Sequence, residues 1–295
     1  MATEIDIALA RDLLPQRPAD GHKGAFGHVF IVAGSRGFTG AAKMACEAAA
    51  RSGVGLVTVG VPKPLADVVA ASLIEPMSLP LPATEAGSFA LAALEPALEF
   101  ARTKQAVVLG PGISQHPDTA AFALEFVRRC PAPTLVDADG LNALSTDPGA
   151  LEAAAGPRVL TPHPGEMARL IGGASAEVQR DREGVALGFA ERYGCVVVLK
   201  GYRTVIAGPG GAVRVNPTGN SGLASGGTGD VLSGLVGGLM AQGVAGFDAA
   251  TLGVYVHGLA GDLAAQAKTE RGMVASDVIE ALGAAWRAVE QGDAP

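Results

Sequence analysis

Short apolar runs that stop at glycine, each followed by a helix-like stretch, recur along this chain and constrain its fold more than any other feature. HVFIVAG (28–34) reads as a buried strand. It leads through a turn into TGAAKMACEAAARSG, an Ala-rich helix that Thr39 can cap and Gly53 can end, and LVTVG (56–60) follows as the next strand. The unit repeats: AVVLGPG (106–112), a helix over DTAAFALEFVRRC, PTLVDADG (133–140), RVLTPHPGE (158–166), one long helical stretch to Tyr193, and CVVVLKG (195–201). Strands that alternate with helices imply a parallel sheet covered on both faces, an α/β fold. TVIAGPGGAVRVNP (204–217) departs from the alternation as a hairpin around Gly-Pro-Gly-Gly. The remainder reads as helix over about Asp230–Gln242, Asp248–Lys268 and Ser276–Gln291. No repeat, linker or low-complexity tract divides residues 1–295, so one domain is expected.

Composition excludes several classes of function. The 41 glycines follow no three-residue period, which rules out collagen. A net charge of −7 argues against a nucleic-acid binder, which would carry a basic stripe. No apolar run is long enough for a membrane span, and the start has neither a basic segment nor a hydrophobic core of a signal peptide. Cys46, Cys130 and Cys195 are odd in number and widely spaced, which suits buried thiols in a reducing cytoplasm better than disulfides or zinc.

In open parallel α/β sheets ligands bind beyond the carboxyl ends of the strands. Five segments occupy such places: GSRGFTGAA, GPGIS, DADGLN, TPHPGE and NSGLASGGTGDVLSG. The last opens a helix. Its small residues let backbone N–H groups converge into an anion site, with the helix N-terminus behind them. Asp230 falls in the first turn, where the helix dipole is expected to keep its carboxyl ionised and its pKa low. A Gly-Asp pair alone can be a plain N-cap. Four small residues ahead of it favour an anion hole whose carboxylate takes a proton from an attacking hydroxyl.

SGGTGDVLSG resembles the GxGD loop of the ribokinase-like superfamily, and the chain is similar to its dehydratase branch, the ADP-dependent NAD(P)H-hydrate dehydratases. The resemblance rests on 22–45, GPGIS (110–114), DADGLN (137–142), TPHPGEMARL (161–170), VVLKG (197–201) and GLASGGTGDVLSG (222–234). It implies a ribokinase-like three-layer α/β/α sandwich with a mostly parallel sheet, and a stand-alone dehydratase without an N-terminal epimerase domain. The implied substrates are (S)-NADHX and (S)-NADPHX, with ADP or ATP as co-substrate and Mg²⁺ as metal. The implied partner is a separate NAD(P)H-hydrate epimerase.

By that resemblance Asp230 is the base. Gly227, Thr228 and Gly229 form the anion hole, and Lys200, Gly201, Tyr202, Arg203, Thr204 and Gly229 lie along the nucleotide. Ala42 with Ala41, Gly112, His163 and Asp230 meet the substrate, and Glu166 holds Mg²⁺. Ordinary readings stand beside these. Lys200 can be a strand-end lysine in water, His163 turn filler between two prolines, and Glu166 a dipole-favoured acid. Asp137 and Asp139 can steer magnesium or serve turns and caps. The rival enzyme is a vitamin-alcohol kinase of the same fold; the rival of another class is a nucleotide-binding protein without catalysis. The resemblance also implies a homotetramer, which the Ala- and Gly-rich C-terminal helices and the low charge fit; a monomer with a well-covered core is the alternative.

Overall fold

The computed structural model describes residues 2–293. Ten strands form one sheet: β1 (Thr3–Glu4), β2 (His28–Val32), β3 (Leu56–Pro62), β4 (Met77–Leu81), β5 (Ala106–Leu109), β6 (Thr134–Val136), β7 (Arg158–Leu160), β8 (Val196–Leu199), β9 (Val205–Ala207) and β10 (Val213–Val215). Their order is β1-β10-β9-β8-β7-β6-β5-β2-β3-β4. From β4 through β8 all neighbours are parallel, as the alternation requires; only β8–β9 and β9–β10 are antiparallel. The antiparallel β9–β10 pair is the expected hairpin, turning at Gly210 and Gly211, both at positive φ.

Successive strand residues face opposite sides of a sheet. Val29 and Ile31 therefore enter one core with helices Thr39–Ala50, Thr228–Ala241, Gly246–Lys268 and Ala275–Gln291. Phe30 and Val32 enter a second core with Leu94–Ala101, Pro117–Arg129, Pro164–Ile171 and Arg182–Tyr193. The result is the expected three-layer α/β/α arrangement. Cys46, Cys130 and Cys195 are free and buried in it.

Several local expectations change. Thr39 is the first helical residue and not the cap; Phe38 precedes it and makes no side-chain cap bond. The long helical stretch after β7 is three helices, because Gly172 turns left-handed (φ +66°) and Asp181 leaves the helical region. Edge strands β1 and β4 went unread, one because it is two residues long and the other because MSLPL carries a proline. The small residues of Gly246–Lys268 are consumed inside the chain. A Cβ on Gly253 would meet Val236, one on Gly258 Thr218, and one on Gly261 Leu223. Close helix packing there is internal and is no argument for subunit contacts.

The sheet order reverses between β2 and β5. There the turns after the two strands are tied together: Gly34 N donates to Pro111 O (2.8 Å) and Ser35 Oγ to Gly112 O (2.8 Å). This is the switch point at which open α/β sheets leave a crevice.

Candidate active site

Residues just beyond β6, β7 and β8 meet the start of the Thr228–Ala241 helix. Asp137, 1% exposed, follows β6. Its Oδ1 accepts from Lys200 Nζ (2.7 Å) and its Oδ2 from Ser233 Oγ (2.7 Å), so one buried carboxylate joins the end of β8 to the helix. Lys200 Nζ also lies 3.9 Å from Glu166 Oε2. Burial by itself would lower the Lys200 pKa, but Asp137 and Glu166 reverse this and hold it above the ordinary lysine range. Lys200 is thus a paired cation at the site and not a strand-end lysine in water.

The anion loop needs glycine at Gly227. Its φ is +96°, and a Cβ there would lie 2.5 Å from Met44 Sδ. The Thr228 hydroxyl donates to Leu223 O (2.7 Å) and Ser225 O (3.0 Å), locking the helix entry. Gly229 sits over the ion pair: a Cβ on it would be 3.6 Å from Lys200 Nζ and 3.8 Å from Asp137 Oδ2.

Asp230 stands in the first turn, but its acidity is the reverse of the expectation. Burial pushes its carboxyl up to about 7, the Asp137 and Asp139 carboxylates add to the rise, and Lys200 only partly opposes it. A helix terminus contributes within its first turn, whereas desolvation can shift a carboxyl by several units. Desolvation wins here.

His163 caps the Pro164–Ile171 helix. Its Nδ1 accepts from Gly165 N (3.0 Å) and Glu166 N (3.3 Å), and Glu166 Oε2 accepts from His163 N (2.8 Å), closing a capping box. Burial and the Lys200 charge keep the imidazole pKa low. With Nδ1 accepting, the neutral ring carries its proton on Nε2, which lies 3.5 Å from Glu166 Oε1 on a half-exposed side chain. Glu166 is 6% exposed, and burial raises its pKa. Among the described residues no three carboxylate, histidine or cysteine groups converge as a metal cage. Mg²⁺ is commonly held by one or two carboxylates together with phosphates and water; Glu166 fits that mode, whereas both oxygens of Asp137 are already taken by Lys200 and Ser233.

Lys200, Gly201, Tyr202, Arg203, Thr204, Thr228 and Gly229 line one cavity of about 590 Å³, so the expected nucleotide segment and anion loop share a space. Sequence reading missed other lining residues of this cavity, Asn216–Gly219 and His257. His257 Nε2 donates to Thr228 O (3.0 Å), bracing the anion loop, and burial holds its pKa at about 4. At the switch point Gly112 (φ +60°) lies against Phe38 and Ala41. Ala42 is buried with its Cβ against Gly34 of the same turn, 3.1 Å from where a Cβ on that glycine would lie, and Ala41 beside it is partly exposed. Asp139 accepts from Ser114 N (2.9 Å) and Asn142 Nδ2 (3.1 Å), a turn-and-cap role.

The family model of the NAD(P)H-hydrate dehydratases (Carb_kinase) matches residues 29–283. The bifunctional NAD(P)H-hydrate repair enzyme Nnr of Moorella thermoacetica is 46% identical over 97% of this chain and 54% of its own length. The ADP-dependent (S)-NAD(P)H-hydrate dehydratase of Neisseria meningitidis is 36% identical over 90% of this chain and 86% of its own. The chain spans about half the length of the bifunctional relatives it matches. Among solved structures, the ADP/ATP-dependent NAD(P)H-hydrate dehydratase of Bacillus subtilis, co-crystallised with ATP/Mg²⁺, superposes with a TM-score of 0.82 at 30% identity, covering 98% of this chain and 99% of that one. A hydroxyethylthiazole kinase of Pyrococcus horikoshii superposes at 0.62 with 14% identity, over 94% of this chain and 91% of that one, and shares the fold alone. A sheet switch point bounded by glycine turns, an anion loop ending in a buried aspartate and a family match over most of the sequence agree: the chain belongs to the NAD(P)H-hydrate dehydratase family.

Proposed function

We propose that this chain dehydrates the S epimers of hydrated NADH and NADPH, NADHX and NADPHX, consuming one ADP or ATP per turnover. The observation that carries the reading is Asp230: a carboxyl with its pKa near 7, in the first turn after the Gly227–Gly229 loop, beside the Lys200 ammonium. Such a group can accept a proton at neutral pH, which an ordinary surface aspartate does poorly.

Hydroxide is a poor leaving group on the hydrated ring and phosphate a good one. Asp230 takes the proton of the C6 hydroxyl as its oxygen attacks the terminal phosphorus of the nucleotide; with ADP the leaving group is AMP. The Gly227, Thr228 and Gly229 amides and Lys200 receive the charge of the transferred group. The ring nitrogen lone pair then expels phosphate, and loss of a C5 proton restores the dihydropyridine. His163 Nε2–H donates to the substrate. Gly201, Tyr202, Arg203 and Thr204 line the nucleotide, and Gly112 with Ala41 forms the shelf for the hydrated ring. Mg²⁺, held by Glu166 and the phosphates, supplies charge neutralisation on the phosphate chain.

Of the only two buried side-chain polar atoms that lack a partner among the described residues, one is Ser225 Oγ, in the anion loop. An orphaned hydroxyl there supports a ligand with hydrogen-bonding oxygens. The free, buried cysteines support a cytoplasmic setting, and no described helix is long and apolar enough to cross a membrane. A homotetramer, as the resemblance implies, is the proposed assembly. An NAD(P)H-hydrate epimerase is the expected partner, because it would convert the R epimer.

The test is turnover of enzymatically prepared NADHX with ADP and Mg²⁺, following AMP and the near-ultraviolet absorbance of the dihydropyridine together. One-to-one release supports coupled phosphorylation and elimination. ADP binding without either signal would overturn the reading in favour of another phosphoryl acceptor.

A further inference from the structure

The second buried polar atom without a partner is Arg182 Nε, and it too belongs to the frame of the cavity. Arg182 opens the Arg182–Tyr193 helix, on the far side of the turn that carries Lys200–Thr204. Its guanidinium reaches under that turn, donating through Nη2 to Leu199 O (2.8 Å) and through Nη1 to Tyr202 O. The turn is unusual backbone: Gly201 has φ +141° and Arg203 φ +54°. A Cβ on Gly201 would lie 3.2 Å from Arg182 Nη2, so cation and turn are in close contact.

Without this fork the part-buried Leu199 carbonyl would lose its donor, and the exposed Tyr202 carbonyl would be left to water, so the turn would lose the one side chain that ties its two ends together. Neighbouring cations are paired: Lys200 with Asp137, and Arg203 with Glu4. Arg182 has only carbonyl partners, no described carboxylate pairs with it, and burial alone draws its pKa below the ordinary arginine range. An unneutralised, partly buried cation one residue behind a cavity wall favours a polyanion in that cavity.

We propose that Arg182 is a positioning residue of the nucleotide site, holding the Leu199–Tyr202 turn in its cavity-lining shape and lending the bound phosphate chain a positive charge that no described carboxylate neutralises. This rests on reading the cavity as the nucleotide site. The fork and the charge separate chemically. Lysine keeps the charge but cannot bridge two carbonyls with a planar pair of donors, whereas methionine loses both.

The experiment measures dissociation constants of ADP and of adenosine, without metal, for the unmodified chain, R182K and R182M, with thermal melting to establish folding; R182Q replaces R182M if that variant does not fold. Adenosine binding should weaken alike in the two variants, by about fivefold, through loss of the turn's shape. ADP binding should weaken by about fivefold in R182K and by a further ~10-fold in R182M, because only the latter loses the charge. ADP affinity within about twofold of the unmodified chain in both variants overturns the inference. Equal weakening of ADP and adenosine in R182M also overturns it, since the phosphates would then not sense the cation. An unmodified chain that binds ADP yet fails to restore the dihydropyridine removes the dehydratase reading and leaves Arg182 in place. One that binds no ADP removes both.

Discussion

The two sides of the crevice are built on different principles. The wall proposed for the nucleotide is braced by side-chain hydrogen bonds. Asn216 Nδ2 donates to Thr218 O (3.0 Å), and Thr218 Oγ1 to Tyr255 O (2.9 Å). Asp262 accepts from Gly219 N and Asn220 Nδ2, both at 2.9 Å. The switch-point shelf has almost no side-chain polarity. It is Gly34, Gly112 and Ala41, joined by bonds to backbone carbonyls and overhung by Phe38, 58% exposed. A phosphate chain and ribose require fixed donors and acceptors, and these must be satisfied before the ligand arrives. A flat ring requires close approach and an apolar cover. On the proposed reading Asp230 stands at the junction, where an oxygen from one side would meet a phosphorus from the other.

The largest effect tests that junction. Asp230→Asn should lower kcat by ~10²-fold or more while ADP affinity stays within about twofold, as expected when a general base alone is lost. For the unmodified chain, kcat/KM should rise with pH through about 7 and then level, because the base works deprotonated. The linkage sign is opposite for stability. A carboxyl whose pKa is raised on folding binds more protons in the native state, so stability falls as pH climbs from the ordinary aspartate range to about 7. Asp230→Asn should therefore melt higher than the unmodified chain at pH above 7. A flat pH profile would place the proton acceptor elsewhere.

Next, Lys200→Met should weaken ADP by ~10-fold and also lower the melting temperature, because Asp137 is left buried without its ammonium partner. A smaller effect should appear on the shelf. Gly112→Ala puts a Cβ 2.9 Å from Phe38 Cβ at a φ of +60°. It should raise KM for NADHX by about fivefold, a strain of roughly 1 kcal/mol, without changing ADP affinity. The smallest change, about twofold in the same KM, is expected for Phe38→Ala, which removes only an apolar cover. If Gly112→Ala weakened ADP as much as NADHX, the two walls would be one site and the division would fail.

Much of this was legible in the residues themselves, and the misses share a cause. The parallel strands could be read because their apolar runs end at glycines that take positive φ, such as Gly34, Gly110 and Gly201. The anion loop could be read for the same reason. Strand β4 could not, because MSLPL lacks a continuous apolar run, and its place is set by pairing with β3. In the sequence Arg182 falls inside one long helical stretch to Tyr193, with nothing to mark it. Its role depends on carbonyls 17 and 20 residues away.

Local sequence determined the order of strands and loops, the glycine positions that let backbone amides converge, and Asp230 as the acid at a helix entry. Each depends on the φ preferences and polarity of neighbouring residues. Tertiary structure alone decided that Asp137 binds both Lys200 and Ser233, 63 and 96 residues away in sequence. It packed Ala42 against Gly34 and left Ala41 partly exposed, and raised the Asp230 pKa where the helix dipole alone would lower it. Burial and charge pairing are sums over everything that packs around a group, and they exist only once distant segments have been brought together.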